Sequence, residues 1–131
     1  MQRNPKDRPI LLVDDSDDIR EVFKYWMELE GYFIECAASG AEALALLREG
    51  LNPCLALVDL NMPDLCGHEF VQKAHEESLL EQIPVYIFSA QAVLKPVPGT
   101  TGFIKKPVDF AEVMSILRRL DAPGAPLQEA P

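Results

Sequence analysis

Asp14 and Asp15 sit side by side at the end of an apolar run, "LLVDD" (11–15), and Asp59 closes another, "CLALVD" (54–59). An ionised carboxylate at the mouth of a core costs stability unless it is paired, and adjacent ones raise each other's cost. Two further polar residues end apolar runs: Ser89 closes "IPVYIFS" and Lys106 closes "TGFIKK". If these five meet, a hard divalent cation such as Mg2+ suits the carboxylates, because it takes oxygen ligands and keeps several waters. Lys106 would add a second positive charge and Ser89 a hydroxyl donor. Metal, ammonium and hydroxyl together can hold an anion with tetrahedral oxygens, a phosphoryl group above all. A carboxylate in such a pocket can act as nucleophile and become an acyl phosphate.

Taken singly, each residue has a plainer reading. Asp17 and Asp18 fit the acidic first turn of a helix capped by Ser16, and Asp14 can serve a turn. Ser89 alone reads as a strand-end hydroxyl, and Lys106 alone as a solvated lysine. Asp59 is harder to dismiss, since it ends a run that reads as buried. The case rests on whether the elements bring all five to one place.

Strand-like runs and helical patterns alternate along the chain. "PILLVDD" (9–15) is short and almost continuously apolar, which suits a strand buried on both faces. Ile19, Val22, Phe23, Trp26 and Leu29 follow one helical stripe that Gly31 ends. Strand two is "YFIECA" (32–37), and "SGAE" (39–42) is a capping box for a helix running to about Glu49. Strand three is 54–60, followed by the breaker-rich turn "NMPDLCG" (61–67) and a helix over 68–80. Strands four and five are 83–90 and 101–106, and "DFAE" (109–112) opens a last helix lined by Phe110, Val113, Leu117 and Leu120. This alternation implies an α/β fold, a parallel sheet with helices on both faces. Ligands in such folds bind beyond the C-terminal strand ends, where strand order reverses. Asp14, Asp15, Asp59, Ser89 and Lys106 all project to that edge.

The chain has 131 residues, one domain's worth, and its 48% hydrophobic and 25% charged residues are ordinary for a globular protein. A net charge of −9 argues against nucleic-acid binding, which needs clustered Lys and Arg. Cys36, Cys54 and Cys66 form no C-x-x-C pair and suggest neither a disulfide framework nor a zinc site. No signal peptide or membrane span is readable, so a reducing, cytoplasmic location is expected. His68 and His75 are spaced wrongly for a zinc protease motif, and no Gly-rich nucleotide loop is present. Residues 1–8 read as an N-terminal extension, 9–120 as the folded unit, and 121–131, Pro/Ala-rich, as a disordered tail or linker stub.

"VDD" after strand one, "VDLNMP" with a Gly four residues on, "FSA" after strand four and "KP" after strand five resemble, in order, the receiver domain of two-component response regulators. The likeness covers about residues 8–120. It implies a doubly wound five-stranded sheet of flavodoxin-like order 2-1-3-4-5. By this resemblance Asp59 is the phosphoacceptor, supplied by a sensor histidine kinase or a histidine phosphotransfer protein in a phosphorelay. Asp15, Asp59 and the backbone carbonyl of Asn61 would bind Mg2+, with Asp14 acting mainly through water. Lys106, directly before Pro107, matches the family lysine, and the bond between them is often cis in relatives. Ser89 and Phe103 sit at the switch positions, and Asn61 and Gln91 at those that tune phosphoryl lifetime. Such a domain is a signalling switch and not an enzyme beyond its own phosphorylation and autodephosphorylation.

The sequence departs from that pattern between Ser89 and Phe103. "AQAVLKPVPGTTG" is short and holds Pro96 and Pro98, which a regular helix cannot accommodate. The fourth family helix is therefore expected to be short or absent, and the usual output face rebuilt. Two other functions are compatible with the residues: a pseudo-receiver that binds partners without phosphorylation, and a phosphatase of the haloacid dehalogenase type using "D-S-D" (15–17). Kinase, downstream target, signal and oligomeric state are not encoded in readable form. The short tail suits a free-standing regulator or a receiver excised from a larger chain.

Overall fold

The computed structural model describes residues 8–90 and 99–121 of the chain. Five strands, β1 (Ile10–Val13), β2 (Ile34–Ala37), β3 (Leu55–Asp59), β4 (Val85–Ser89) and β5 (Gly102–Lys105), form one sheet of order β2-β1-β3-β4-β5. Every strand pair is parallel. The connecting helices are α1 (Asp17–Leu29), α2 (Gly40–Arg48) and α3 (Gly67–Glu76), and α4 (Phe110–Asp121) follows β5. This is the doubly wound order that the motifs imply. The expected shortening of a helix between β4 and β5 falls on 91–98, and with it Gln91; both lie outside the described residues.

The strands are apolar at nearly every position because both faces of the sheet are covered. Leu11, Val13, Ala56, Val58, Val85 and Ile87 face one way, onto Ala43, Leu44 and Leu47 of α2 and Phe70, Val71 and Ala74 of α3. The alternate residues Ile10, Leu12, Leu55, Leu57, Phe88 and Ile104 face the other way, onto Phe23 and Met27 of α1 and Val113, Ile116 and Leu117 of α4. Phe23 is the aromatic centre of that second core, with ring centroids 5.4 Å from Phe88 and 4.9 Å from Phe110.

The helical stripe expected on α1 is only partly the buried one. Phe23 is buried, and so is Met27, but Val22, Trp26 and Leu29 stand 45%, 44% and 60% exposed. The sheet takes one narrow row at four-residue spacing (19, 23, 27). The apolar arc of α1 is wider than that row, so its outer edge is left in solvent, and Tyr25 and Phe33 are exposed as well. Trp26 still rests on Phe110, its centroid 5.8 Å away.

Helix α3 also ends sooner than the pattern suggests, at Glu76 and not near Leu80. Three helices stop in the same way. At α1 and α2 a glycine with positive φ (Gly31, Gly50) follows the cap, and the N–H groups of Tyr32 and Leu51 reach back to Met27 and Leu46. At α3 the same pair of reversed bonds forms, Ser78 to His75 and Leu79 to Ala74, but Ser78 takes the left-handed conformation, with φ of 56°. No glycine advertises that stop.

Candidate functional site

Register alone converges the site. Val13 lies opposite Val58, so Asp14 and Asp59 emerge as neighbours from the C-terminal edge of the sheet. Asp59 lies opposite Phe88 and Ser89 opposite Lys105, which sets Ser89 and Lys106 at the same edge. The Lys106 backbone N–H donates to the Ser89 carbonyl at 2.9 Å, carrying the β4–β5 pairing one residue past the strand, and the Lys106–Pro107 peptide is cis.

The Lys106 ammonium donates to Asp14 Oδ2 at 3.1 Å and to Asp59 Oδ1 at 3.2 Å. Asp14 is fully buried, Asp59 is 5% exposed and Ser89 is 1% exposed. The other Asp14 oxygen accepts the Ser16 backbone N–H at 2.9 Å. Asp15 is exposed, and its carboxylate stands in a group with those of Asp14 and Asp59, with ligand oxygens all within 4.8 Å of one another. Three oxygen donors so gathered, two of them buried beside a single lysine, suit a hard divalent cation. Asp14, Asp15 and Asp59 are the side chains that would hold Mg2+.

Burial first, and then the charge of Asp14, push the Asp59 carboxyl above its usual range; Lys106 and the Asn61 backbone N–H pull the other way without prevailing. For Lys106, burial would lower the ammonium, but the hydrogen bond and charge of Asp14, followed by those of Asp59, outweigh it and hold the group above the ordinary lysine value. The asymmetry has a simple origin. The lysine gains two anions, whereas Asp59 must share one cation with another carboxylate.

The loop after β3 is pinned tightly. Leu60 donates its N–H to Phe88 at 2.9 Å and accepts the Gly67 N–H at 2.7 Å. A Cβ on Gly67 would fall 2.6 Å from the Asp59 carbonyl oxygen and 3.0 Å from Leu60 Cα, both backbone atoms that cannot rotate away. Gly67→Ala should therefore cost about 1–3 kcal/mol, the range for overpacking a tight site. Urea unfolding measures it; a loss under about 0.5 kcal/mol would mean that the loop yields easily.

Other placements are mixed. Asn61 is exposed, and Phe103 is half-buried on the α2–α3 face. Two residues that matter to the geometry gave little warning in the sequence. Arg20 donates to the Asp14 carbonyl at 2.7 Å and also pairs with Asp17; only the three-residue spacing of that second pair hinted at it. Asp64, inside the breaker turn, accepts the N–H groups of Gly40 at 3.2 Å and Ala41 at 2.9 Å, across more than twenty residues of chain. No local pattern reveals such a bond.

A parallel sheet of this order, with an aspartate pair after β1, a buried aspartate ending β3 and a lysine after β5 joined to both sides of the acidic group, defines a receiver. The chain matches the family described as the response regulator receiver domain over residues 10–118, and it belongs to that family. It is 32% identical over 117 residues to response regulator Rre1 of Synechocystis sp., covering 85% of this chain and 50% of Rre1. To the two-component response regulator ORR5 of Oryza sativa it is 31% identical over 116 residues, covering 85% of this chain and 87% of ORR5. The chain thus spans half the length of one such relative and most of another. Among solved structures, Vibrio cholerae chemotaxis protein CheY4 superposes with a TM-score of 0.76 at 29% identity, covering 86% of this chain and 98% of that one. Response regulator TrrA of Thermotoga maritima, in complex with Mg2+ and BeF, superposes at 0.75 with 27% identity over 86% and 98% of the two chains. Among the described residues no helix is long and apolar enough to cross a membrane.

Proposed function

We propose that residues 9–120 form a phosphorylatable switch in which Asp59 takes a phosphoryl group from a phosphohistidine of a sensor kinase or phosphotransfer protein. The observation that carries the reading is the Lys106 ammonium held between Asp14 and Asp59, 3.1 and 3.2 Å away, at the edge where Asp15 also stands. A carboxylate oxygen of Asp59 attacks phosphorus, the P–N bond breaks, and its electron pair returns to the imidazole. Lys106 holds a phosphoryl oxygen and offsets charge that grows in the transition state. The carboxylates of Asp14, Asp15 and Asp59, with the Asn61 carbonyl, would bind Mg2+, which would supply positive charge to the phosphoryl oxygens. Water later hydrolyses the acyl phosphate and restores the carboxylate, and by the family resemblance Asn61 and Gln91 are the residues that would tune the lifetime.

The phosphoryl group adds roughly two negative charges and strong acceptors at this edge. Contacts made to it by Ser89 and Lys106 only in the phosphorylated state would shift the population toward a partner-binding conformation. Phe103, which lies beside Ile87 and is partly covered, would be the aromatic that follows that shift.

Incubation with Mg2+ and acetyl phosphate, read by intact mass, tests the reading. The expected result is a labile phosphate adduct that is absent from Asp59→Ala. Turnover of the donor that survives Asp59→Ala and dies with Asp15→Ala would instead make the protein a phosphatase. A folded protein giving neither adduct nor turnover with this donor or with phosphohistidine would be a binding module only.

A further inference from the structure

The first three N–H groups of α2 have no partner within the helix. Ser39 Oγ accepts that of Glu42 at 3.1 Å, as a cap should. The other two, from Gly40 and Ala41, go to the two oxygens of Asp64, which belongs to the loop after β3. Leu65 lies against the same spot, since a Cβ on Gly40 would fall 2.9 Å from Leu65 Cβ. Burial by itself would raise the Asp64 carboxyl, but the backbone N–H bonds from Ala41, Leu65 and Gly40 together hold it below the usual range. Asp64 is therefore an anion clasped by a helix N-terminus.

The loop so clasped is the one that carries Asn61. At one end Leu60 and Gly67 lock together, and in the middle Met62 is buried in the α2–α3 core. At the outer end Asp64 ties the loop to α2. Asn61 lies between these anchors, with its N–H on the Asp59 carboxylate. We infer that Asp64 is a positioning residue for the cation site: by bonding Gly40 and Ala41 it fixes the loop and so sets where the Asn61 carbonyl stands relative to Asp59. The inference rests on the proposed phosphoryl-accepting function and extends it to a residue on the far side of the loop. Helix α2 thereby becomes the platform for the Asn61 side of the site.

Ser39 provides the control, since it caps the same helix and its hydroxyl bonds Glu42 of that helix, not the loop. Calorimetric titration of the unphosphorylated protein with MgCl2 compares Asp64→Ala, Asp64→Asn and Ser39→Ala, with thermal midpoints measured alongside. Losing an outer-sphere support weakens metal binding about tenfold or more, and that is expected of Asp64→Ala. Ser39→Ala, although it costs helix stability, should stay within about twofold of the parent. Asp64→Asn retains one acceptor oxygen and should fall between, and it decides the matter if Asp64→Ala does not fold. Amide exchange without metal should quicken at Asn61 in the Asp64 variants and not in Ser39→Ala. The inference is overturned if the Asp64 variants bind Mg2+ like the parent, or if Ser39→Ala weakens binding as much. A parent that binds no Mg2+ overturns the functional reading as well; a parent that binds it, beside unaffected variants, sinks this inference alone.

Discussion

Asp59→Asn should abolish the phosphoryl adduct and yet raise the thermal midpoint of the magnesium-free protein by a few degrees, at about 4 °C for each kcal/mol gained. The loss of the adduct is total because an amide has no carboxylate oxygen to donate. The gain in stability follows from burial. Asp59 is 5% exposed beside the fully buried Asp14, and its carboxyl lies above the usual range. A carboxyl with a raised pKa binds its proton more tightly folded than unfolded. Its ionisation therefore costs stability, a cost that begins at the unfolded pKa and is complete above the folded one. Asparagine keeps the shape and an oxygen for Lys106 while removing the charge.

Two comparisons make this decisive. The difference between parent and Asp59→Asn should shrink as pH falls from about 8 to about 4, because protonation makes the parent resemble the variant. Adding Mg2+ should reverse the order, since a ligand that binds only the folded parent stabilises it in proportion to occupancy. A magnesium-free Asp59→Asn protein that melts below the parent would show that the acidic group is already balanced without a metal.

That strain is part of what made the site readable in the sequence. Aspartates that end buried strands are costly, and Asp14 and Asp59 stand out because their neighbours are apolar throughout. Alternation of short apolar runs with capped helices also dictated the parallel sheet, and Ser16, Ser39 and Asp109 do cap their helices. The misreadings share one cause, the lack of a local signal. Periodicity could not show which part of the wide apolar arc on α1 the sheet would take, so Val22, Trp26 and Leu29 read as core. The end of α3 depends on Ser78 adopting a conformation that glycine usually marks. Asp64 finds its partners only once α2 lies beside the loop after β3. Pairing across the sheet is likewise invisible in one strand, yet it is the register Val13–Val58 and Ser89–Lys105 that assembles the site.

The largest loss of stability should come from Lys106→Met, which keeps the aliphatic stem and removes the charge. Asp14 and Asp59 would then face each other with no cation. Removing one partner from a buried ionic group costs about 3–5 kcal/mol, and the lower end applies here because water reaches the lysine, whose side chain is 20% exposed. In the parent this contribution holds throughout neutral pH. A lysine raised by its partners gives stability that is fully present below its unfolded pKa and is lost only as pH rises past the folded value. The deficit in Lys106→Met should instead lessen under acid, as Asp59 takes a proton, and with Mg2+, which replaces the missing charge. Phosphoryl uptake from acetyl phosphate should still fall by about 100-fold, because the ammonium that would hold a phosphoryl oxygen is gone. A cycle with Asp59→Asn isolates the interaction. If Lys106 mainly offsets repulsion between Asp14 and Asp59, Asp59→Asn should stabilise the Lys106→Met protein by more than it stabilises the parent, since the repulsion it relieves is then unscreened. An equal gain from Asp59→Asn in both backgrounds would mean that the lysine acts on Asp14 and leaves Asp59 to the metal.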